Sequence, residues 1–186
     1  MKKLVFAAMA AVAVSASAEM KVGVVDLMVL IRNHPNYDSN KELLTSTDKD
    51  YKKKLDDIKS DGEALQAEGK ELAEKLRSPM LSDKAKADVE KQLMEIQQKL
   101  MGIEQRYRGE AVRFRQDLQD LEARLLKTTT DDLRKRIAKL AGEKGYDFVF
   151  DKTALPFSKA EYDVTDDMLS AMNVDPATAK GRDEGK

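Results

Sequence analysis

Hydrophobic residues between positions 41 and 142 recur at a seven-residue interval, which is typical of long amphipathic helices that coil around a partner. The first arm of this pattern carries Leu44, Tyr51, Ile58, Leu65 and Leu72, and the second carries Leu93, Leu100, Tyr107, Phe114 and Leu121. Such a repeat keeps one apolar seam turned toward a neighbouring helix. The pattern predicts two long helices paired as an antiparallel coiled-coil hairpin, with a compact helical bundle as the alternative.

The two apolar seams match each other when the numbers of facing residues add up to 165, as those of Tyr51 and Phe114 do. In this register Gly62 and Gly69 of the first arm face isoleucines of the second arm. Packed layers favour a small residue opposite a large one. The register therefore predicts which residues touch across the hairpin.

The turn between the arms is predicted between Ser82 and Asp83, because these two neighbouring residue numbers also add up to 165. Pro79 lies just before this point and cannot continue the first helix. Ser82 is a favourable N-cap for the second helix, and Asp83 suits its first turn because the helix dipole attracts an acidic side chain there.

The first 18 residues have the pattern of a secretory signal peptide. Lys2 and Lys3 precede an apolar run at 4–14, and residues 16–18 (ASA) form a small-residue cleavage site. The apolar run is too short to span a membrane of about 20 helical residues. We expect cleavage after Ala18, with an uncleaved anchor as the alternative.

Charge and composition narrow the classes of function. Loss of Lys2 and Lys3 leaves 31 of the 33 basic residues against 34 acidic ones, a net charge near −3, so generic nucleic-acid binding is not expected. The chain has no cysteine and one histidine, so it offers neither disulfides nor a transition-metal site. No glycine-rich phosphate loop and no nucleophile motif is present, so we expect no cofactor and no enzymatic activity.

Short elements flank the hairpin and predict a small α/β body made of residues 19–40 and 143–174. Residues 21–27 (KVGVVDL) and 145–151 (GYDFVFD) are predicted strands, 161–164 is a candidate third strand, and 27–31 opens a short helix. A last helix is predicted from an N-cap at Thr165 to Met172, followed by a mobile tail at 175–186. His34 is expected in a loop, with a pH-sensing role as the alternative.

The order of these elements resembles the Skp (OmpH-like) family of periplasmic chaperones. The resemblance is carried by the signal peptide, KVGVVDL, the long charged hairpin, GYDFVFD and DVTDDML, and it extends to about Met172. It implies a homotrimer in which short strands build a body and the hairpins hang from it as tentacles. It also implies an ATP-independent holdase that binds unfolded outer-membrane β-barrel proteins between the tentacles and prevents their aggregation.

By the same resemblance, six apolar residues of the two strands map to the oligomerisation body, although packing within their own chain is an alternative. These residues are Val22, Val24, Val25, Phe148, Val149 and Phe150. A sheet of two or three short strands has too little core to be stable alone, which also favours association.

Methionines and glycines supply further candidates on the hairpin. Methionine is flexible and polarizable, so Met80, Leu81, Met94 and Met101 are predicted client contacts, with seam and tip packing as the alternative. Interior glycines weaken helices, so Gly62, Gly69, Gly102 and Gly109 are hinge candidates. Close packing against isoleucine is an alternative for the first two glycines only.

One property departs from the family. Its best-known members are strongly basic, whereas this chain has a sequence pI of about 6.0. Apolar contact and caging are therefore expected to hold clients rather than charge, and any contact with membrane or lipopolysaccharide is expected to be weak. The alternative function is an exported coiled-coil spacer or adaptor of the cell envelope.

Overall fold

The structure is a computed structural model that describes residues 20–181. The predicted signal peptide and its cleavage point at Ala18 lie outside the described residues. The helices and strands, in chain order, are β1 (Val22–Val25), α1 (Leu27–Arg32), α2 (Tyr37–Leu76), α3 (Asp83–Lys144), β2 (Phe148–Asp151) and α4 (Thr165–Ala171). Three short 3-10 turns follow β2, at Lys152–Ala154, Ala160–Tyr162 and Pro176–Thr178.

Helices α2 and α3 pack against each other along their length and confirm the predicted antiparallel hairpin on a small β base. The rings of Tyr51 and Phe114 stack with centroids 4.2 Å apart. A Cβ atom added to Gly62 would lie 3.4 Å from Cγ2 of Ile103, which faces it in the predicted register. These contacts confirm the register across the hairpin.

The two arms differ in length. Helix α2 has 40 residues and α3 has 62, or roughly 60 Å and 93 Å at 1.5 Å per residue. The extra turns of α3 enter the body, where Thr129 and Leu133 are buried. Neither residue continues the seven-residue seam, because a straight helix of 3.6 residues per turn drifts away from such a repeat.

Both ends of α3 are capped by residue types that favour helix termini. The Ser82 hydroxyl accepts a hydrogen bond from the backbone N–H of Ala85 at 3.4 Å, which confirms the predicted N-cap. At the other end Gly145 adopts a left-handed conformation with φ of 69°. Glycine carries no Cβ penalty in that conformation, so the chain can leave the helix at this point and enter β2.

The sheet has two strands, with β1 parallel to β2 and Val22 opposite Phe148. The predicted third strand at 161–164 is wrong. Residues Ala160–Tyr162 form a 3-10 turn, and only Asp163 makes an isolated bridge, to Val24. The N–H of Asp163 bonds to the carbonyl of Ala160 at 3.0 Å, so local turn bonds replace a continued ladder.

The core of the body collects residues from several elements. Its buried members are Val25, Val29, Leu30, Leu133, Val164, Met168, Leu169 and Met172. The predicted helix over 27–31 is confirmed as α1, which supplies two of these residues and is capped by Asp26, whose carboxylate accepts from the Val29 N–H.

Thr165 is the first residue of α4 and not its N-cap, so that prediction is wrong. Its hydroxyl donates to Oδ1 of Asp163 at 2.5 Å and accepts from the Asp26 N–H at 2.9 Å. The Asp163 carboxylate also accepts from the Thr165 N–H at 3.0 Å. The threonine thus joins the start of α4 to the end of β1 instead of capping its own helix.

Residues 175–181 were expected to belong to a mobile tail, but they contact the connection between α1 and α2. The Lys180 N–H donates to Oδ1 of Asn33 at 3.0 Å, and the Lys180 ammonium group lies 2.9 Å from the carboxylate of Asp38. The mobility of this tail stays a prediction. Residues 182–186 lie outside the part of the chain that the structure describes.

Candidate functional site

The four residues predicted to contact clients lie on two parts of the hairpin. Met80 is at the tip, between α2 and α3, and is 93% exposed, while Leu81 beside it is half-buried. Met94 and Met101 lie on α3 and are 59% and 58% exposed. Their exposure removes seam packing as the explanation for both α3 methionines.

Two residues that the sequence analysis missed extend the methionine pair along α3. Val112 is 56% exposed and Leu126 is 51% exposed. Counting from Met94 through Met101, the successive spacings are 7, 11 and 14 residues, close to two, three and four turns at about 3.6 residues each. All four side chains therefore lie on one face, over a length of roughly 48 Å at 1.5 Å per residue.

Apart from Arg108, which is paired with Glu104, the residues between these apolar side chains on this face carry no charge. We call the whole set the α3 stripe. Its members, all exposed, are Met94, Gln98, Met101, Gln105, Val112, Gln116, Gln119, Ala123 and Leu126. Charged residues make up 36% of the chain, so an exposed face of this length with so little charge is a distinct feature of the surface. Glutamine spacing was the signal that the sequence analysis overlooked.

Three basic residues of the upper arms are paired along their own helices. Lys52 lies 2.6 Å from Asp48, Arg108 is paired with Glu104, and Arg113 lies between Glu110 and Asp117. Lys54 sits over the stacked rings of Tyr51 and Phe114. Exposed pairs of this kind contribute little to stability, but they neutralise the local field that would attract acidic partners.

The four glycines predicted as hinges fall into two groups. An added Cβ on Gly62 or Gly69 would meet an isoleucine of α3 at 3.4 Å, so packing accounts for both. An added Cβ on Gly102 or Gly109 would meet nothing within 4 Å. Gly102 precedes the isoleucine that faces Gly62, so both arms carry a glycine at the same level.

The six residues predicted for the oligomerisation body also divide. Val24 and Val25 are 2% and 3% exposed within a single chain, Val22 and Val149 are half-buried, and Val149 packs against the body core. Phe148 and Phe150 point to the other side of β2, where they are 51% and 41% exposed and their ring centroids lie 6.0 Å apart.

Two more aromatic side chains near β2 are exposed and were not singled out from the sequence. Phe157 is 79% exposed and Tyr162 is 41% exposed. Aromatic residues are only 5% of this chain, so their clustering in the short segment after β2 was the available signal. Together with the two phenylalanines of β2, they are four exposed aromatic side chains of the body.

His34 lies in the predicted loop but is buried, which the sequence did not indicate. Its Nε2 is 3.0 Å from Oδ2 of Asp132 on α3, and its Nδ1 accepts from the Asn36 N–H at 3.2 Å. Hydrogen bonds from Arg136 and then His34 lower the pKa of Asp132. The histidine thus ties the α1–α2 connection to α3.

Within residues 20–181, no group of three histidine, cysteine, aspartate or glutamate side chains is placed to hold a metal ion. Over the same range, no helix is long and apolar enough to cross a membrane.

Comparison with known proteins agrees with this architecture. A search of curated proteins finds no match to the chain. The family model described as outer membrane protein (OmpH-like) matches residues 21–172, which is most of the chain. The protein therefore belongs to the Skp/OmpH family, a family of periplasmic chaperones for outer-membrane proteins and not of enzymes.

Proposed function

We propose that this protein is an ATP-independent periplasmic holdase that binds unfolded outer-membrane β-barrel proteins and prevents their aggregation before membrane insertion. The observation that carries the proposal is the α3 stripe, a set of exposed and uncharged side chains that extends about 48 Å along a highly charged hairpin. Membership of the OmpH-like family supports the class of client.

The chemistry of the stripe suits an unfolded β-barrel chain. Such a chain exposes alternating apolar side chains and unpaired backbone groups. Methionine side chains adapt to apolar groups of different shape, and glutamine amides both donate to and accept from a peptide backbone. Contacts of this kind do not depend on the client's sequence or charge, so binding should change little as salt is raised.

We further propose that three copies assemble through the body, with Phe148, Phe150 and the outer edge of β2 at the contact. Exposed aromatic residues beside an open sheet edge favour addition of another chain. Val24 and Val25 then support the interface from inside their own chain. Export through a cleaved signal peptide would place this trimer in the periplasm, and N-terminal sequencing of the mature protein tests the cut after Ala18.

A spacer or adaptor of the cell envelope is the second candidate function, and the unequal, mainly helical arms are compatible with it. A spacer has no use for an uncharged stripe, because exposed apolar faces favour unwanted association. Native mass spectrometry of the mature protein with a urea-unfolded barrel separates the two functions. A soluble complex of one trimer with one client supports the holdase, and a trimer that ignores the client supports the spacer.

The stripe itself is tested by adding charge to it. Glutamate in place of both Met101 and Val112 should weaken the affinity for the unfolded barrel at least about tenfold, because a charge would have to be desolvated against apolar client groups. Gln92→Glu is the matched control, since Gln92 is exposed on the opposite face of α3. Equal affinities of the stripe variant and the wild type would show that clients bind elsewhere.

A further inference from the structure

Residues 174–181 form a segment that crosses from the end of α4 to the start of the hairpin, and we call it the C-terminal strap. Val174 and Ala179 pack against the body core, and the Val174 N–H donates to the carbonyl of Leu169 at 2.9 Å. A 3-10 turn at Pro176–Thr178, capped by the Asp175 carboxylate, redirects the chain between these two apolar contacts. The strap begins beyond the region that matches the family model.

The far end of the strap contacts both sides of the connection between α1 and α2. The Asn33 side-chain amide, at the end of α1, donates to the Lys180 carbonyl and accepts from the Lys180 N–H, each at 3.0 Å. The Lys180 ammonium group donates to both carboxylate oxygens of Asp38, at 3.0 Å and 2.9 Å, and lies 5.8 Å from the ring centre of Tyr37. Asp38 belongs to the first turn of α2.

The start of α2 depends on these tertiary contacts because its own cap is weak. Asn36, the N-cap of α2, makes no side-chain capping hydrogen bond. On the side of α3, His34 bonds to Asp132, and the Asn40 amide reaches the Thr129 hydroxyl at 3.4 Å. The root of α2 is therefore held between α3 and the strap.

A groove at this root continues the α3 stripe toward the body. It is lined mainly by apolar side chains, among them Ile31, Tyr37, Leu44, Leu125 and Leu126. Leu126 is also the last residue of the stripe, and Tyr37 carries the Lys180 ammonium group over its ring. Any movement of the first turns of α2 would therefore change the shape of this groove.

We propose that the C-terminal strap is a detachable brace that holds the root of α2 against α3 and controls the opening of the root groove. The contact at Lys180 is suited to release, because the Lys180 side chain is 56% exposed and the Asp38 side chain is 77% exposed. Exposed ion pairs are weak and screened by salt, so the strap end can detach while the body core stays packed. Regulation of client access through this groove rests on the holdase function proposed above.

Hydrogen exchange of the full mature chain, followed by mass spectrometry, tests the brace without any client. Lys180→Ala should speed exchange in peptides covering residues 37–50 at least about threefold, and a chain ending at Val174 should speed it further. Exchange around the hairpin tip should stay unchanged in both. Lys180→Arg keeps the charge and should exchange at nearly the wild-type rate. Lys139→Ala is the matched control, since it removes an exposed pair, with Glu143, that lies away from the strap.

The outcomes separate the brace from the holdase function. Wild-type exchange at 37–50 in both Lys180→Ala and the shortened chain would overturn the brace, whatever the client measurements give. Faster exchange in these variants supports the brace whatever the client affinity of the stripe variant is. An unchanged client affinity in the stripe variant would overturn only the holdase. Equal acceleration in Lys139→Ala would show a general loosening and would also overturn the brace.

Discussion

The body and the hairpin arms are stabilised in different ways. In the body, residues from α1, α3, α4 and β1 meet in one core, and Leu30, Leu133 and Leu169 are fully buried. In the arms, buried side chains are few and lie along a single seam, such as Ile58, Val89 and Ile96. The core of the body is built from segments that are distant in sequence, while the arms repeat similar packing layers along the hairpin.

This difference indicates how each region should respond to change. A core shared by several elements is lost as a unit, because each buried residue supports the others. A line of layers allows one layer to loosen while its neighbours persist, which corresponds to local opening below the global free energy of unfolding. The holdase function proposed above would use a body that holds its shape and arms that yield to clients of different size.

The largest loss of stability should come from truncating a buried side chain in the body. Leu133→Ala is expected to lower the free energy of unfolding by about 2–5 kcal/mol, because Leu133 is fully buried where α3 meets the core. Urea unfolding measures the loss, and hydrogen exchange should rise throughout the chain. Ile96→Ala in the arm should raise exchange mainly around its own layer. A global rise of the same size in both variants would contradict the division into two regions.

The next largest loss of stability should come from removing the hydrogen bonds that join β1 to α4. Thr165→Val keeps the shape of the side chain but removes the acceptor for the buried Asp26 N–H and the donor to Asp163, and should cost about 1–3 kcal/mol. Thr165→Ser keeps the hydroxyl and is the control, so it should cost less in the same unfolding experiment.

The same link makes the body sensitive to acid. Partial burial tends to raise the pKa of Asp163, but hydrogen bonds from the Thr165 hydroxyl and N–H, together with Lys152, outweigh burial and lower it. Because this pKa is lower in the folded protein than in the unfolded chain, ionised Asp163 stabilises the fold at pH values above about 3.9, the ordinary pKa of an aspartate. That contribution should be lost as pH falls through the folded-state pKa. Unfolding measured between pH 5 and pH 2 should show a shallower dependence in Asp163→Asn than in the wild type.

A smaller effect, an increase in stability, is expected for substitutions of two glycines in the arms. Gly102→Ala and Gly109→Ala should each stabilise α3 by up to about 1 kcal/mol, because an added methyl group meets no neighbour and the helix loses an entropic cost. Hydrogen exchange in the arms should slow. Ala123→Gly, at an exposed position of the same helix, is the reverse control and should speed exchange by a similar factor. Unchanged exchange in the alanine variants would remove the hinge hypothesis for these two glycines.

The smallest effect should come from the ion pairs on the arm surface. Lys59→Ala removes an exposed pair with Glu63, 3.5 Å away, and should change stability by no more than about 0.5 kcal/mol. Thermal unfolding at low and high salt measures this difference. A cost as large as that of Thr165→Val would show that charge, and not the apolar seam, holds the arms together.

The hairpin was predictable in detail because its information is local and repeated. The seven-residue spacing, the pairing of Tyr51 with Phe114 and the N-cap at Ser82 are all confirmed. Each rests on neighbours three to seven residues apart or on one simple register, and the same relation recurs in every layer. The methionines of the stripe were found for the same reason, as residues beside a regular seam.

The body was predictable only in outline, since its contacts join distant residues. Asp26 and Thr165 are 139 positions apart, and nothing near either residue indicates their hydrogen bond. The third strand failed because turn bonds at 160–163 satisfied the backbone locally. The contacts of residues 175–181 were not predicted because a short polar segment gives no sign of a partner such as Asn33.

The sequence by itself determined the hairpin, its register and its turn, since helical periodicity places side chains relative to near neighbours whatever the rest of the chain does. Only the tertiary structure decided which faces remain exposed. It left Val112 and Leu126 exposed beside the methionines, buried His34 against α3, left Phe148 uncovered and bound Lys180 to the root of α2. Exposure is what remains after all distant segments have packed, so no single stretch of the chain could reveal it.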